Sequence, residues 1–101
     1  MDTAPAAAPL NARVDEILSS GLADTYRQLP PAVQEKFKQL GEQTVAQIVH
    51  QLQGHHPSLE PLISLVGTWL RLIPNLNPYY LEQAAKIKTE QIISLIRPVT
   101  P

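Results

Sequence analysis

The sequence contains no cysteine and no recognisable catalytic motif. The first absence excludes disulfides, thiolate zinc sites, iron–sulfur clusters and cysteine nucleophiles. There is also no GxSxG nucleophile elbow, no HExxH zinc helix, no glycine-rich phosphate loop and no EF-hand loop. His50, His55 and His56, with Glu60 nearby, are the only candidate metal ligands, but His50 and His55 straddle a predicted helix end. We therefore expect no enzymatic activity, no cofactor, no metal site and no small-molecule substrate.

Charged residues are also few, at 17% of 101 residues with a net charge of −1. Residues 1–60 contain four Lys or Arg and seven Asp or Glu, whereas residues 61–101 contain four and two. The four basic residues of the second half are spread along the chain and form no block, so nucleic-acid binding is only weakly indicated. A net charge this close to zero favours association between copies of the chain.

The N-terminal residues lack the apolar core of a secretory signal, so a cytoplasmic location is the expectation. Residues 1–9 are mostly alanine and proline with nothing to bury, which predicts a disordered arm. Residues 98–101 begin with the helix-stopping Pro98 and are predicted to be a free tail. A single helical domain is thus expected over residues 10–97.

The spacing of apolar residues predicts four helices and no strand. They cover residues 10–20, 31–53, 59–73 and 78–96, and the stretch over residues 22–29 is ambiguous between a loop and a further helical turn. The predicted fold is therefore all-α, a compact four-helix bundle with a short first helix.

The central element of this predicted bundle is the helix over residues 59–73, with the sequence LEPLISLVGTWLRLI. It is apolar on nearly every side, and Glu60 and Arg71 are its only charges. It is shorter than the roughly 20 residues that a membrane span needs, so another part of the molecule or of the cell must cover it. We predict that the helices starting at Pro31 and Pro78 do so. The predicted core residues are Phe37, Leu40, Ile48, Leu62, Val66, Trp69, Leu70, Leu81, Ile92 and Leu95.

Local signals mark the ends of these helices and one helix contact. Ser58 and Asn77 are predicted N-caps, and Pro78 suits the first position of the last helix. Gly41 lies within the apolar stripe of its helix, which predicts a close helix crossing there, with a hinge as the alternative.

Tyr79 and Tyr80 follow the second of these caps, and their side chains point about 100° apart on a helix. One is expected in the core and the other at its rim. Together with Lys86 and Lys88 they also suggest the alternative of contacts to single-stranded nucleic acid.

The residues WLRLIPNLNPYYLEQAAKIKT (69–89), with LPP at residues 29–31 and the residues over 38–42, resemble a group of small uncharacterised bacterial helical proteins. The resemblance covers roughly residues 29–96. It implies an all-helical fold built from a proline-started helix, an apolar helix ending in Trp-Leu and an Ile-Pro turn. It implies no activity.

The leading functional hypothesis is a non-catalytic helical interaction module that self-associates or forms a subunit of a larger assembly. One alternative is a peripheral membrane protein that uses the apolar helix over residues 59–73, and a second is a weak nucleic-acid binder. The predicted partner contacts are the apolar residues left over once one helix face is covered, together with nearby basic residues. They are Leu65, Leu72, Ile73, Arg71, Lys86 and Lys88.

Overall fold

Five helices connected by short turns make up residues 7–54 and 57–96, the part of the chain that the computed structural model describes. They are α1 (Ala7–Ser19), α2 (Ala23–Gln28), α3 (Pro31–Leu52), α4 (Leu59–Leu70) and α5 (Pro78–Ser94). This part of the chain is all-helical, as predicted, and contains no strand. A four-helix bundle is not confirmed, because the ambiguous stretch after Gly21 forms a helix of its own.

The helix boundaries differ from the predicted ones by two or three residues at three ends, and by one residue at the ends of α1 and α3. α1 begins at Ala7, so the predicted arm over residues 1–9 is wrong for its last three residues. α4 ends at Leu70 rather than Ile73, and α5 ends at Ser94. The remainder of the predicted arm, the predicted tail, His55, His56 and Arg97 lie outside the described residues.

The helices enclose one apolar core to which α4 contributes its buried side. α1 packs on α3, α3 on α4, α4 on α5, and α5 returns to α1. Leu62, Val66 and Leu70 of α4 are almost completely buried, so the chain itself covers the apolar side of this helix. Of the ten predicted core residues, seven are buried, and Leu40, Leu81 and Leu95 are half-buried against the core. No helix in residues 7–54 and 57–96 combines the length and the apolar character needed to cross a bilayer.

Gly41 marks the crossing of α3 and α4, as predicted. The indole N–H of Trp69 donates a hydrogen bond to the carbonyl oxygen of Phe37 at 2.9 Å, and the indole stacks on the Phe37 ring with centroids 4.4 Å apart. A Cβ atom at position 41 would lie only 3.0 Å from the indole nitrogen. Glycine at this position therefore lets the indole approach the backbone of α3 closely enough to form the hydrogen bond.

The two predicted N-caps behave differently. The side chain of Asn77 accepts hydrogen bonds from the backbone N–H groups of Tyr79 and Tyr80, at 2.8 and 3.2 Å. Ser58 occupies the predicted N-cap position of α4 in an extended conformation, but its side chain makes no capping hydrogen bond. The start of α5 is thus fixed by its own cap, whereas α4 depends on packing.

Candidate functional site

The turn between α4 and α5 shapes an open groove on the described part of the molecule. After Leu70 the backbone continues in tight turns, in which the N–H of Leu72 bonds to Trp69 and that of Ile73 bonds to Leu70. Asn75 has a φ of 62°, in the left-handed region that asparagine tolerates better than most residues. These turns reverse the chain within residues 71–77, so that α5 runs back along α4.

Small residues in the seam between α4 and α5 leave room for the groove. A Cβ atom at Gly67 would lie 3.9 Å from the Cβ of Ala85, so the two helices meet there across their smallest side chains. The groove has a volume of about 780 Å³ and opens to solvent. Its lining residues are Ile63, Ser64, Gly67, Arg71, Ile73, Pro74, Asn75, Leu76, Pro78, Tyr79, Leu81, Glu82 and Ala85.

One aromatic and two charged side chains stand at this groove. Tyr79 is 71% exposed, more than any other large apolar residue of the described chain. Arg71 and Glu82 are also exposed and carry opposite charges. Within residues 7–54 and 57–96 the ion pair that forms joins Arg27 and Asp24, so neither Arg71 nor Glu82 pairs with another described residue.

The exposure of Tyr79 follows from where α4 stops. Because Gly67 lies level with Ala85 and the helices are antiparallel, the last residue of α4 is level with about residue 82. The first turn of α5, residues 78–81, therefore extends beyond the last residue of α4. The prediction that either Tyr79 or Tyr80 lies in the core is wrong, since both are exposed.

The six predicted partner contacts lie in different environments. Arg71 is exposed and lines the groove, whereas Lys86 is exposed on α5 outside it. Leu65 and Leu72 are half-buried against the core. Ile73 lines the groove but is only 6% exposed, so the prediction that it is left uncovered is wrong. Ile73 follows the fully buried Leu62 by 11 residues, so helical spacing also places it on the buried side of α4.

Lys88 is 8% exposed and serves a structural purpose, which contradicts its prediction as a surface contact. Its ammonium group donates hydrogen bonds to the carbonyl oxygens of Ile17 and Ser20, at 3.1 and 2.8 Å. These carbonyls lie at the C-terminal end of α1, where helices leave carbonyl groups without partners and favour a positive charge. Burial lowers the pKa of the Lys88 amine from its ordinary value of 10.5. Lys88 therefore links α5 to the end of α1, and its ammonium group does not contribute to a basic surface.

Thr89, next to Lys88, is fully buried. Its hydroxyl oxygen finds no hydrogen-bond partner among the described residues. A buried hydroxyl without a partner destabilises the fold, because it loses its bonds to water without compensation.

A second groove of about 470 Å³ lies between α3 and the α1–α2 segment. Phe37 and Trp69 line it, but both are almost fully buried and stack on each other. Their ring faces are thus already used by the core, and this groove offers a ligand little aromatic surface. Among the described residues, no three His, Asp or Glu side chains come close enough together to hold a metal ion.

Sequence reasoning did not select Tyr79 and Glu82 as site residues. The signal for Tyr79 was present, because Asn77 and Pro78 place it in the first turn of α5, where core contacts are fewest. Glu82 gave no signal, since an isolated glutamate on a helix is usually a solvated surface residue.

Comparison with protein-family models, curated proteins and solved structures gives no match for this chain. The resemblance to small bacterial helical proteins therefore stays a prediction.

Proposed function

We propose that this protein is a non-catalytic interaction module that binds protein through the groove between α4 and α5. The observation that carries the proposal is the position of Tyr79, which stands 71% exposed beside an open groove of about 780 Å³. Tyrosine and arginine are enriched at protein interfaces, where their large side chains fill pockets on the partner. Both residue types are present here, as Tyr79 and Arg71.

The environment of Lys88 supports the non-catalytic part of this proposal. A strongly perturbed pKa in a cleft is a common mark of an active site. Here the amine with the lowered pKa is bound to two backbone carbonyls of α1 and lies outside both grooves. Its perturbation is thus accounted for by helix capping and burial.

The two alternatives gain no comparable observation. The membrane hypothesis requires α4 to leave the core, yet its residues Leu62 and Val66 are fully buried. The nucleic-acid hypothesis used Arg71, Lys86, Lys88 and Arg97, and the ammonium group of Lys88 is bonded inward to the carbonyl of Ser20. Both remain predictions that liposome flotation and heparin retention would test.

Site-specific photo-crosslinking tests the proposed function. A photoreactive phenylalanine derivative replaces Tyr79 in one variant and Tyr80 in the control, and each purified variant is irradiated alone and in a lysate of its source cells. Tyr80 is a matched control because it has the same residue type and lies in the same exposed turn, but does not line the groove. We expect protein adducts from position 79 and few from position 80. Equal yields from both positions, or none from either, would contradict the proposal.

A further inference from the structure

We infer that the protein bound in this groove is a second copy of the same chain, and that the two copies are related by a two-fold axis. This inference rests on the proposed function, because it names the occupant of the same groove. In the resulting dimer, Tyr79 of each copy enters the groove of the other.

The first argument is that the exposed Tyr79 side chain and the groove belong to the same surface patch. A two-fold contact uses the same surface on both copies, so that surface must carry both the group that inserts and the space that receives it. Tyr79 stands exposed at the groove, while Gly67 and Ala85 in the seam leave the groove open. The patch therefore carries both parts that a two-fold contact needs, whereas a surface with only a recess would require a different partner.

The second argument is the charge of the patch. Arg71 on the α4 side and Glu82 on the α5 side line the same groove, and neither forms an ion pair within the described chain. A two-fold axis between them places Arg71 of one copy against Glu82 of the second copy, and the reverse pair forms at the same time. One charge of each sign makes the patch electrostatically complementary to itself.

The balance of charges in the groove also favours a second copy of the chain over a polyanion as the partner. A surface for phosphate groups carries an excess of positive charge. This groove contains one basic and one acidic residue, and the whole chain has a net charge of only −1. Electrostatic repulsion between two copies is consequently small.

Sedimentation equilibrium of the purified full-length chain, from low to high micromolar concentration, tests the inference. We expect a monomer–dimer equilibrium for the wild type. Tyr79→Ala should weaken dimerisation at least about ten-fold, equivalent to about 1.4 kcal/mol, whereas Tyr80→Ala should leave it within about two-fold. Circular dichroism of each variant checks that the exposed substitutions leave the fold intact.

Charge reversal provides a sharper test of the two-fold pairing. Arg71→Glu and Glu82→Lys should each be monomeric where the wild type is dimeric, because each places like charges against each other in both symmetric contacts. An equimolar mixture of the two variants should form a mixed dimer, since both contacts then join opposite charges. Lys86→Glu is the matched control, because it changes the net charge as Arg71→Glu does but lies outside the groove.

The outcomes distinguish this inference from the proposed function. A wild type that stays monomeric overturns the inference, and so does a dimer that ignores Tyr79→Ala and both charge reversals. If the protein is monomeric but position 79 crosslinks to another protein in the lysate, the groove binds protein but not a second copy. If position 79 also gives no adduct, the proposed function fails as well.

Discussion

Replacing Gly41 by alanine tests whether the contact between α3 and α4 depends on the missing side chain. In an ordinary helix interior this substitution stabilises by about 1 kcal/mol, because glycine has the lower helix propensity. Here the new Cβ atom would lie 3.0 Å from the indole nitrogen of Trp69, which donates to the carbonyl of Phe37. Loss of a buried hydrogen bond costs about 1 to 3 kcal/mol. Steric displacement of a stacked indole adds to this cost, so we expect Gly41→Ala to lower the free energy of unfolding by about 1 to 2 kcal/mol.

Gly67→Ala is the matched comparison, because Gly67 also lies in the interior of a helix. Its new Cβ atom would lie 3.9 Å from Ala85, which is an ordinary van der Waals distance. This variant keeps the gain in helix propensity without a clash, so it should be more stable than the wild type by up to about 1 kcal/mol. The two substitutions are chemically identical and are expected to have opposite signs.

Urea unfolding followed by circular dichroism gives the measurement, with Trp69→Phe as a second background. Phenylalanine lacks the indole nitrogen, so Gly41→Ala should become neutral or stabilising in that background. A double-mutant cycle then yields a coupling of about 2 kcal/mol between positions 41 and 69. The reasoning is refuted if Gly41→Ala stabilises the wild type, or if its effect is the same in both backgrounds.

Four further predictions concern single side chains. Lys88→Met should lower the free energy of unfolding by about 1 to 3 kcal/mol at neutral pH, because it removes the buried side-chain donor to the carbonyls of Ile17 and Ser20 at the end of α1. Burial lowers the pKa of the Lys88 amine below 10.5, so just below pH 10.5 the unfolded chain binds more protons than the folded chain. The stability of the wild type should therefore rise with pH in that alkaline window relative to Lys88→Met, and urea titrations with parallel pH profiles would contradict this. Asn77→Ala should lower the free energy of unfolding by about 1 kcal/mol, whereas Ser58→Ala should lower it by less than about 0.5 kcal/mol, because Ser58 makes no capping bond. Equal losses of stability in thermal melts would contradict this difference. Thr89→Val should raise the free energy of unfolding by about 1 kcal/mol, because it removes a buried hydroxyl that has no partner among the described residues. A lower urea midpoint for this variant would show that the hydroxyl is bonded. The fluorescence of Trp69, which is 5% exposed, should be blue-shifted and unchanged by anionic liposomes, and a lipid-dependent shift would favour the membrane hypothesis.

The positions of the longer helices could be predicted because their signals are local. The periodicity of apolar residues located α3, α4 and α5, and Pro31 and Pro78 fixed two of their starts within the sequence itself. The Asn77 cap was likewise predictable, since a cap bonds to backbone groups only two or three residues away. Gly41 was correctly assigned to a helix crossing, although the sequence did not identify Trp69 as its neighbour.

The candidate site was predicted poorly because it depends on which residues lie level across neighbouring helices. Arg71 was selected and does line the groove, but Tyr79 and Glu82 were missed. Lys88 was assigned to the surface, yet its amine reaches α1, whose residues Ile17 and Ser20 are about 70 positions away in sequence. No local pattern reports a contact over that separation.

The sequence by itself determined an all-helical chain, the approximate extent of α3, α4 and α5, and an apolar α4 that must be covered. Tertiary structure decided that the chain itself covers the inner side of α4, and that α4 stops at Leu70. Because α4 stops there, the first turn of α5, which carries the exposed Tyr79, extends beyond the end of α4. Helix formation is governed by residues within a few positions of one another, whereas exposure depends on how far each helix extends beside the next.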